Sequence, residues 1–292
     1  MFTIILLCKP NQDLVQKDIV ETLRSAWGGR DLKWLSVLNA AEFEVAFEPG
    51  NFWDVWADFQ SLNIDLIKVP TDNRKKKLLI ADMDSTMIQQ ECIDELAAEA
   101  GVGDRVADIT ARAMNGELDF EAALDERVGL LTGLPASVIQ NVLDTRIDLM
   151  PGGRALVKTM NANGGTAALV SGGFTNFADV IAAELGFHSA RANTLLIEAD
   201  HLTGKVARPI LGKQAKVERL NELLSEHALD QSDVIAVGDG ANDLGMLGMA
   251  GMGVALHAKP AVQKECDIRI NHGDLTALLY LQGYAEDAFT TG

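Results

Sequence analysis

The 292-residue chain carries 25 Lys and Arg against 42 Asp and Glu, a net charge of −17, with 48% hydrophobic residues and a mean hydropathy of +0.08. A surface this acidic repels nucleic acid and anionic membranes, which need phosphate or lipid contacts from Lys and Arg. The same negative charge means that any phosphorylated substrate must be drawn in by a local cluster of cations or a metal, and no apolar run approaches the length of a membrane span.

Residues 1–77 hold 10 Lys and Arg against 11 Asp and Glu, so nearly all of the negative charge lies in the remaining 215 residues. The N-terminal MFTIILLCKP is apolar, but it lacks a leading positive region and a small-residue cleavage site, and reads as a strand. Three widely spaced cysteines, Cys8, Cys92 and Cys266, fit a reducing cytoplasm and argue against a disulfide framework or a zinc cluster.

The first block predicts a strand at 2–8 and a helix at about 13–26, with Leu14, Ile19, Val20 and Leu23 on one face. Strands at about 33–38 and 42–48, a helix near 51–62 and a strand at 65–69 follow. The order β-α-β-β-α-β is a ferredoxin-like pattern and resembles ACT-type regulatory domains. Arg74-Lys75-Lys76-Lys77 then reads as a solvated linker, placing a boundary between an N-terminal domain, 1–73, and a second domain, 74–292.

Beyond it, LLIAD (78–82), TAALVS (166–171), VIAVGD (234–239), MGVAL (252–256) and DIRI (267–270) alternate with helices at 153–163, 174–185, 213–226 and 242–249. Continuous apolar strands between helices imply a parallel α/β sheet covered on both faces. Ligands bind such sheets beyond the carboxyl ends of the strands. Asp82, Ser171 and Asp239 each end a predicted strand, so they converge on one rim. Four helices (about 88–100, 103–115, 119–131 and 135–146) interrupt the alternation as a cap over that rim, spanning about 87–150. A β-hairpin is predicted at 192–210.

Four motifs carry chemistry. Asp82-Met83-Asp84-Ser85-Thr86 places two carboxylates where a strand turns outward, although Asp and Ser also favour ordinary helix-capping turns. Gly238-Asp239-Gly240-Ala241-Asn242-Asp243 offers carboxylates suited to a hard cation. Ser171-Gly172-Gly173 offers a hydroxyl and backbone N–H groups to phosphate oxygens. Lys216, taken alone, reads as helix surface.

In this order the four resemble the haloacid dehalogenase superfamily, whose phosphatases carry DxDx[TV], a Ser or Thr, a Lys and GDxxxD. Asp82, Asp84, Thr86, Ser171, Lys216, Asp239 and Asp243 match position by position, and the resemblance covers about 76–284. With GELDFEAALDERV, LVSGGF and AVGDGAND, the fuller pattern resembles the phosphoserine phosphatase family. The resemblance implies a Rossmann-like core with a helical cap and Mg²⁺-dependent hydrolysis through an aspartyl-phosphate. Asp82 would be nucleophile and Asp84 acid and base. Asp82, Asp84 (through the Met83–Asp84 backbone region) and Asp239 would hold the metal.

Ser171, Gly172, Lys216 and Asn242 would hold the phosphoryl group, with Asp243 orienting Lys216. Glu91 and Arg127 would meet the substrate's ammonium and carboxylate near Met114 and Phe120. Without the resemblance, Glu91 and Arg127 read as solvated helix residues. Another small phosphate, such as phosphohomoserine, fits the same motifs. A phospho-accepting signalling receiver shares acidic residues, a Ser/Thr and a Lys, but has no cap. The partner expectation is a small phosphomonoester, with homodimerisation through residues 1–73.

Overall fold

A computed structural model of the chain describes residues 1–114 and 118–290, without the side chains of Ala111, Ala113 and Met114. In its first part β1 (Phe2–Cys8), β2 (Lys33–Ser36), β3 (Ala40–Val45) and β4 (Ile64–Pro70) form an antiparallel sheet in the order β2-β3-β1-β4. Helices Lys17–Ala26 and Phe52–Gln60 complete the predicted β-α-β-β-α-β order. The first begins later than expected because Asn11 and Asp13 adopt φ of 65° and 53°, and Gln16 is extended.

Alternate side chains of this sheet go to opposite faces. Ile4, Leu6, Phe43 and Leu66 pack with Phe52 and Phe59 under the two helices. Ile5, Leu7, Leu35, Ile67 and Val69 face the other way and join the core of the rest of the molecule. With both faces covered, β1 can be apolar throughout.

The second sheet contains β5 (Leu78–Ala81), β6 (Thr166–Phe174) and β7 (Ser189–Asn193), followed in the chain by a separate antiparallel hairpin, β8 (Leu195–Glu198) and β9 (His201–Val206). It is completed by β10 (Val234–Gly238), β11 (Met252–Leu256) and β12 (Ile268–Ile270), all parallel in the order β12-β11-β10-β5-β6-β7. Strand β7 is absent from the sequence reading. It lies at the sheet edge with three half-exposed residues, so SARAN lacks the apolar run that marks its neighbours. Strand order reverses between β5 and β10, which opens the crevice where ligands bind such sheets.

The cap helices run Cys92–Glu99, Gly103–Met114, Phe120–Gly129 and Ser137–Thr145. The first starts four residues later than predicted, because the chain folds back on itself after Asp82: the N–H groups of Met87 and Ile88 both donate to the Met83 carbonyl. The entry and exit of the cap lie side by side. Ile88 bridges Leu149, and Gln89 N donates to Asp148 O at 2.9 Å.

The expected solvated linker is solvated only in part: Lys75 and Lys77 are exposed, but Arg74 and Lys76 turn inward. Arg74 Nη2 donates to Glu42 at 2.7 Å and to the Tyr280 carbonyl at 3.0 Å, while Nε donates to Leu281 O at 2.9 Å. The buried Lys76 donates to the carbonyls of Asn73 and Ser232 at 2.6 and 2.7 Å. Lys75 lies over the Tyr284 ring at 4.6 Å. The inward turn of Arg74 and Lys76 is hidden in the sequence because most of their carbonyl acceptors, at Ser232, Tyr280 and Leu281, come from far along the chain.

Candidate active site

Asp82 follows β5 and Asp239 and Asp243 follow β10, so adjacent central strands deliver three carboxylates to one point. Their oxygens lie within 4.8 Å of one another, and all three residues are buried. Lys216, on the helix Lys213–His227 and 1% exposed, enters this cluster. Its ammonium lies 2.7 Å from Asp82 Oδ1 and 2.6 Å from Asp243 Oδ1. The surface reading of this lysine is overturned. The other oxygen of Asp243 accepts the Gly240 N–H at 3.0 Å, and a Cβ at Gly238 would collide with the Asp243 carboxyl group.

Asp84 is turned away from this cluster. Its Oδ1 accepts the Cys92 N–H at 3.0 Å, and its Oδ2 faces the Ser171 hydroxyl at 3.4 Å. Ser171 ends the buried part of β6, and its Oγ accepts the Gly173 N–H at 2.8 Å. A Cβ at Gly173 would overlap Asp84 Oδ2, so glycine is required there. Thr86 is buried below, its hydroxyl 3.5 Å from Asp239 Oδ1.

Asp82 and Asp243 thus clamp the Lys216 ammonium with Asp239 and Asp84 close by, and although the field of Lys259 also reaches Asp239, carboxylates outnumber cations here. Burial, then the charge on Asp243, pushes Asp82 well above the usual carboxylate range despite the opposing pull of Lys216. Burial likewise raises Asp84 against hydrogen bonds from Cys92 and Ser171. Burial and Asp243 push Asp239 up to about 6. Burial disfavours the charged form of Lys216, but Asp82 and Asp243 outweigh it and hold the ammonium above its ordinary value. The donors available to a cation are all oxygens, the set that suits a hard divalent ion.

The cap places Glu91 and Arg127 over this rim. Glu91 stands at the start of the first cap helix, and its Oε1 accepts the Ser85 hydroxyl at 2.7 Å. Glu91 keeps contact with solvent, but the protein packed around its carboxylate, with the charges of Asp84 and Asp239 nearby, pushes it up to about 7. Arg127 is half-buried, and burial pulls its guanidinium below the ordinary value against the fields of Asp94, Glu91 and Asp84, which favour its charge. Phe120 reaches down so that a Cβ built at Gly172 would lie 3.2 Å from its Cζ. The Met114 side chain lies outside the described residues. Asn242 is half-buried beside Gly240, without a hydrogen bond to the carboxylate cluster among the described residues.

Three contributors escaped the sequence reading. Ser85 and Cys92 sit inside or beside the first motif but hold cap and rim together. Asn193, 2% exposed at the end of β7, donates to Gly172 O at 2.9 Å and Leu211 O at 3.2 Å and accepts from Leu211 N at 2.7 Å. It ties the Ser171–Gly172 loop to the segment leading into the Lys216 helix. Its only sequence signal was an Asn at the end of a weak strand.

An acidic cluster at the switch point of a parallel sheet, roofed by a helical insertion, is the architecture of one hydrolase class. The chain belongs to the haloacid dehalogenase-like hydrolases, whose family model matches residues 79–248. Within that family it is similar to phosphoserine phosphatases. It is 42% identical over 256 residues to the phosphoserine phosphatase of Haemophilus influenzae, covering 87% of this chain and 81% of that one. A solved phospho-aspartyl intermediate analogue of phosphoserine phosphatase is 40% identical, with a TM-score of 0.66 over 70% of this chain and 98% of that one. A HAD family hydrolase from Salmonella enterica serovar Typhi matches 98% of this chain and 99% of its own, with TM-score 0.86 and 29% identity. That match extends through the N-terminal sheet.

Proposed function

We propose that this protein hydrolyses O-phospho-L-serine to L-serine and phosphate, with Mg²⁺, through an aspartyl-phosphate on Asp82. The observation that carries this reading is the 2.7 Å approach of Asp82 Oδ1 to Lys216 inside a buried, cation-poor carboxylate cluster, beneath a cap bearing Glu91 and Arg127.

Asp82, Asp239 and the backbone of Asp84 would hold Mg²⁺, while the Asp84 carboxylate stays free for proton transfer. When bound, the ion supplies the positive charge that lets an anionic nucleophile approach an anionic phosphate. Lys216, the Ser171 hydroxyl and the Gly172 N–H hold the phosphoryl oxygens, and Asn242 assists from the loop after β10. Asp243 keeps Lys216 charged and aimed.

An Asp82 oxygen attacks phosphorus, and the bond to the serine oxygen breaks as Asp84 protonates it. The raised pKa of Asp84 favours the protonated form this step needs. Asp84, now ionised, takes a proton from water, which attacks the phosphoryl group and frees Asp82. Glu91 receives the substrate's ammonium and Arg127 its carboxylate. Phe120, beside Gly172, shields the phosphoryl group from bulk water.

We assign residues 1–73 to an ACT-like domain and 74–292 to the phosphatase domain, its cap at about 87–150. The protein would act in the cytoplasm. A homodimer would use the edge strand β2 and the exposed Val37 and Phe47, since both faces of the N-terminal sheet are covered. Phosphate release from phosphoserine, phosphothreonine, phosphohomoserine and sugar phosphates, with and without Mg²⁺, tests the assignment. Preference for a substrate lacking the amino-acid group would overturn it.

A further inference from the structure

Ser85 lies between the proposed acid, Asp84, and the buried Thr86, in a backbone conformation that favours glycine, with φ of 54°. Its N–H donates to the Gln90 carbonyl at 3.1 Å, which closes the loop between the strand end and the cap entry. The left-handed turn separates the roles of neighbouring side chains. Asp82 and Thr86 are buried on the sheet side, whereas the Ser85 hydroxyl points to the cap and donates to Glu91 Oε1 at 2.7 Å. Glu91 occupies a helix N-cap position, yet its side chain makes no capping hydrogen bond. Among the described residues Oε2 has no hydrogen bond and Glu91 is exposed, so one oxygen is held and the other is left without a partner.

We propose that Ser85 is a positioning residue for substrate selection: it fixes the Glu91 carboxylate so that Oε2 meets the ammonium group of an amino-acid phosphate. This rests on the assignment of Glu91 to the ammonium. The serine hydroxyl restrains a flexible side chain before substrate arrives, so less freedom is lost on binding. It also connects the loop that carries the nucleophile directly to the residue that reads the amino group.

Two substitutions remove the hydroxyl with opposite effects on the backbone. Ser85→Gly relieves the left-handed conformation, and Ser85→Ala keeps its cost. Both should lower kcat/KM for phosphoserine by about tenfold, the scale of one hydrogen bond to a charged group. The loss should fall mainly on KM, and p-nitrophenyl phosphate, which has no ammonium, should lose much less. In a Glu91→Gln background, Ser85→Gly should add little, because the group it aims is gone. Equal losses on both substrates, or a defect in Ser85→Ala that Ser85→Gly does not share, would show a backbone role and overturn the proposal. If Glu91→Gln discriminates between the substrates and the serine variants do not, the Ser85 role alone is wrong. If Glu91→Gln fails to discriminate, the assignment of Glu91 falls and the Ser85 role falls with it.

Discussion

Asp84 Oδ1 accepts the backbone N–H of Cys92 at 3.0 Å, so the proposed acid and base of the reaction also caps the first helix of the cap. Free N–H groups at a helix start need such an acceptor, and the neighbouring Glu91 does not provide one. Asp84→Asn keeps an acceptor oxygen for this contact and removes only the titrating group. Phosphoserine turnover should fall about 10²–10⁴-fold, the usual scale for one acid–base group. With an aryl phosphate, whose leaving group needs less protonation, phosphoenzyme should accumulate. Rapid-quench labelling without accumulation would contradict the dual role.

Lys216 is buried in ion pairs with two carboxylates, Asp82 and Asp243. Lys216→Ala leaves buried negative charge unbalanced and should cost about 3–5 kcal/mol of stability, in addition to abolishing turnover. Lys216→Arg keeps the charge, but a planar guanidinium does not fit a pocket built for a compact ammonium, so activity should not return. Asp82→Asn should leave the fold intact and turnover below a thousandth of the parent. Thermal melts and phosphate release separate the two cases.

The metal-free protein should lose stability as pH rises. Asp239 sits at about 6 in the folded chain, above its ordinary value of about 4, so the folded state binds more protons between those values. Its contribution is fully present below pH 4 and disappears as pH climbs through about 6; Asp82 and Asp84, also raised, add in the same direction. For Asp239 alone the difference is at most about 3 kcal/mol, or several degrees in Tm. Melts in EDTA at pH 5 and pH 8 should show the fall, Mg²⁺ at pH 8 should reverse it, and Asp239→Asn should flatten it. A pH-independent Tm in EDTA would refute the electrostatic account.

Arg127→Ala should cost phosphoserine about 2–5 kcal/mol of transition-state binding, as for one lost partner of a desolvated charge pair, and spare an aryl phosphate. Equal loss on both substrates would remove Arg127 from carboxylate recognition.

The N-terminal sheet should not be separable. Asp65, 0% exposed, accepts backbone N–H groups from Asn271, His272 and Gly273 at 2.9, 3.0 and 2.8 Å. Ile5, Leu7, Leu35 and Ile67 share a core with the phosphatase sheet. Asp65→Ala leaves several buried donors unpaired and should cost at least about 2 kcal/mol. A chain starting near Asp72 should be insoluble, and the full chain should melt in one transition. A soluble, active truncation, or two resolved transitions, would show the block to be independent.

Strand–helix alternation and polar residues ending apolar strands were enough, from sequence alone, to bring Asp82, Ser171 and Asp239 to one rim. They are local signals: a buried parallel strand must be apolar, and its carboxyl end must open on the crevice. Spacing within DMDST and GDGAND likewise revealed the chemistry at two points of the chain. What the sequence did not reveal depended on distant partners. The burial of Lys216 follows from carboxylates delivered by β5 and β10; that of Arg74 and Lys76 follows from carbonyls near Ser232 and Tyr280. Edge strand β7 and its Asn193 carry little periodicity, because only one side of the strand is paired. The direction in which Asp84, Ser85 and Glu91 point was decided by a left-handed turn and the closure of the cap, through which packing selects one of several conformations the local residues allow.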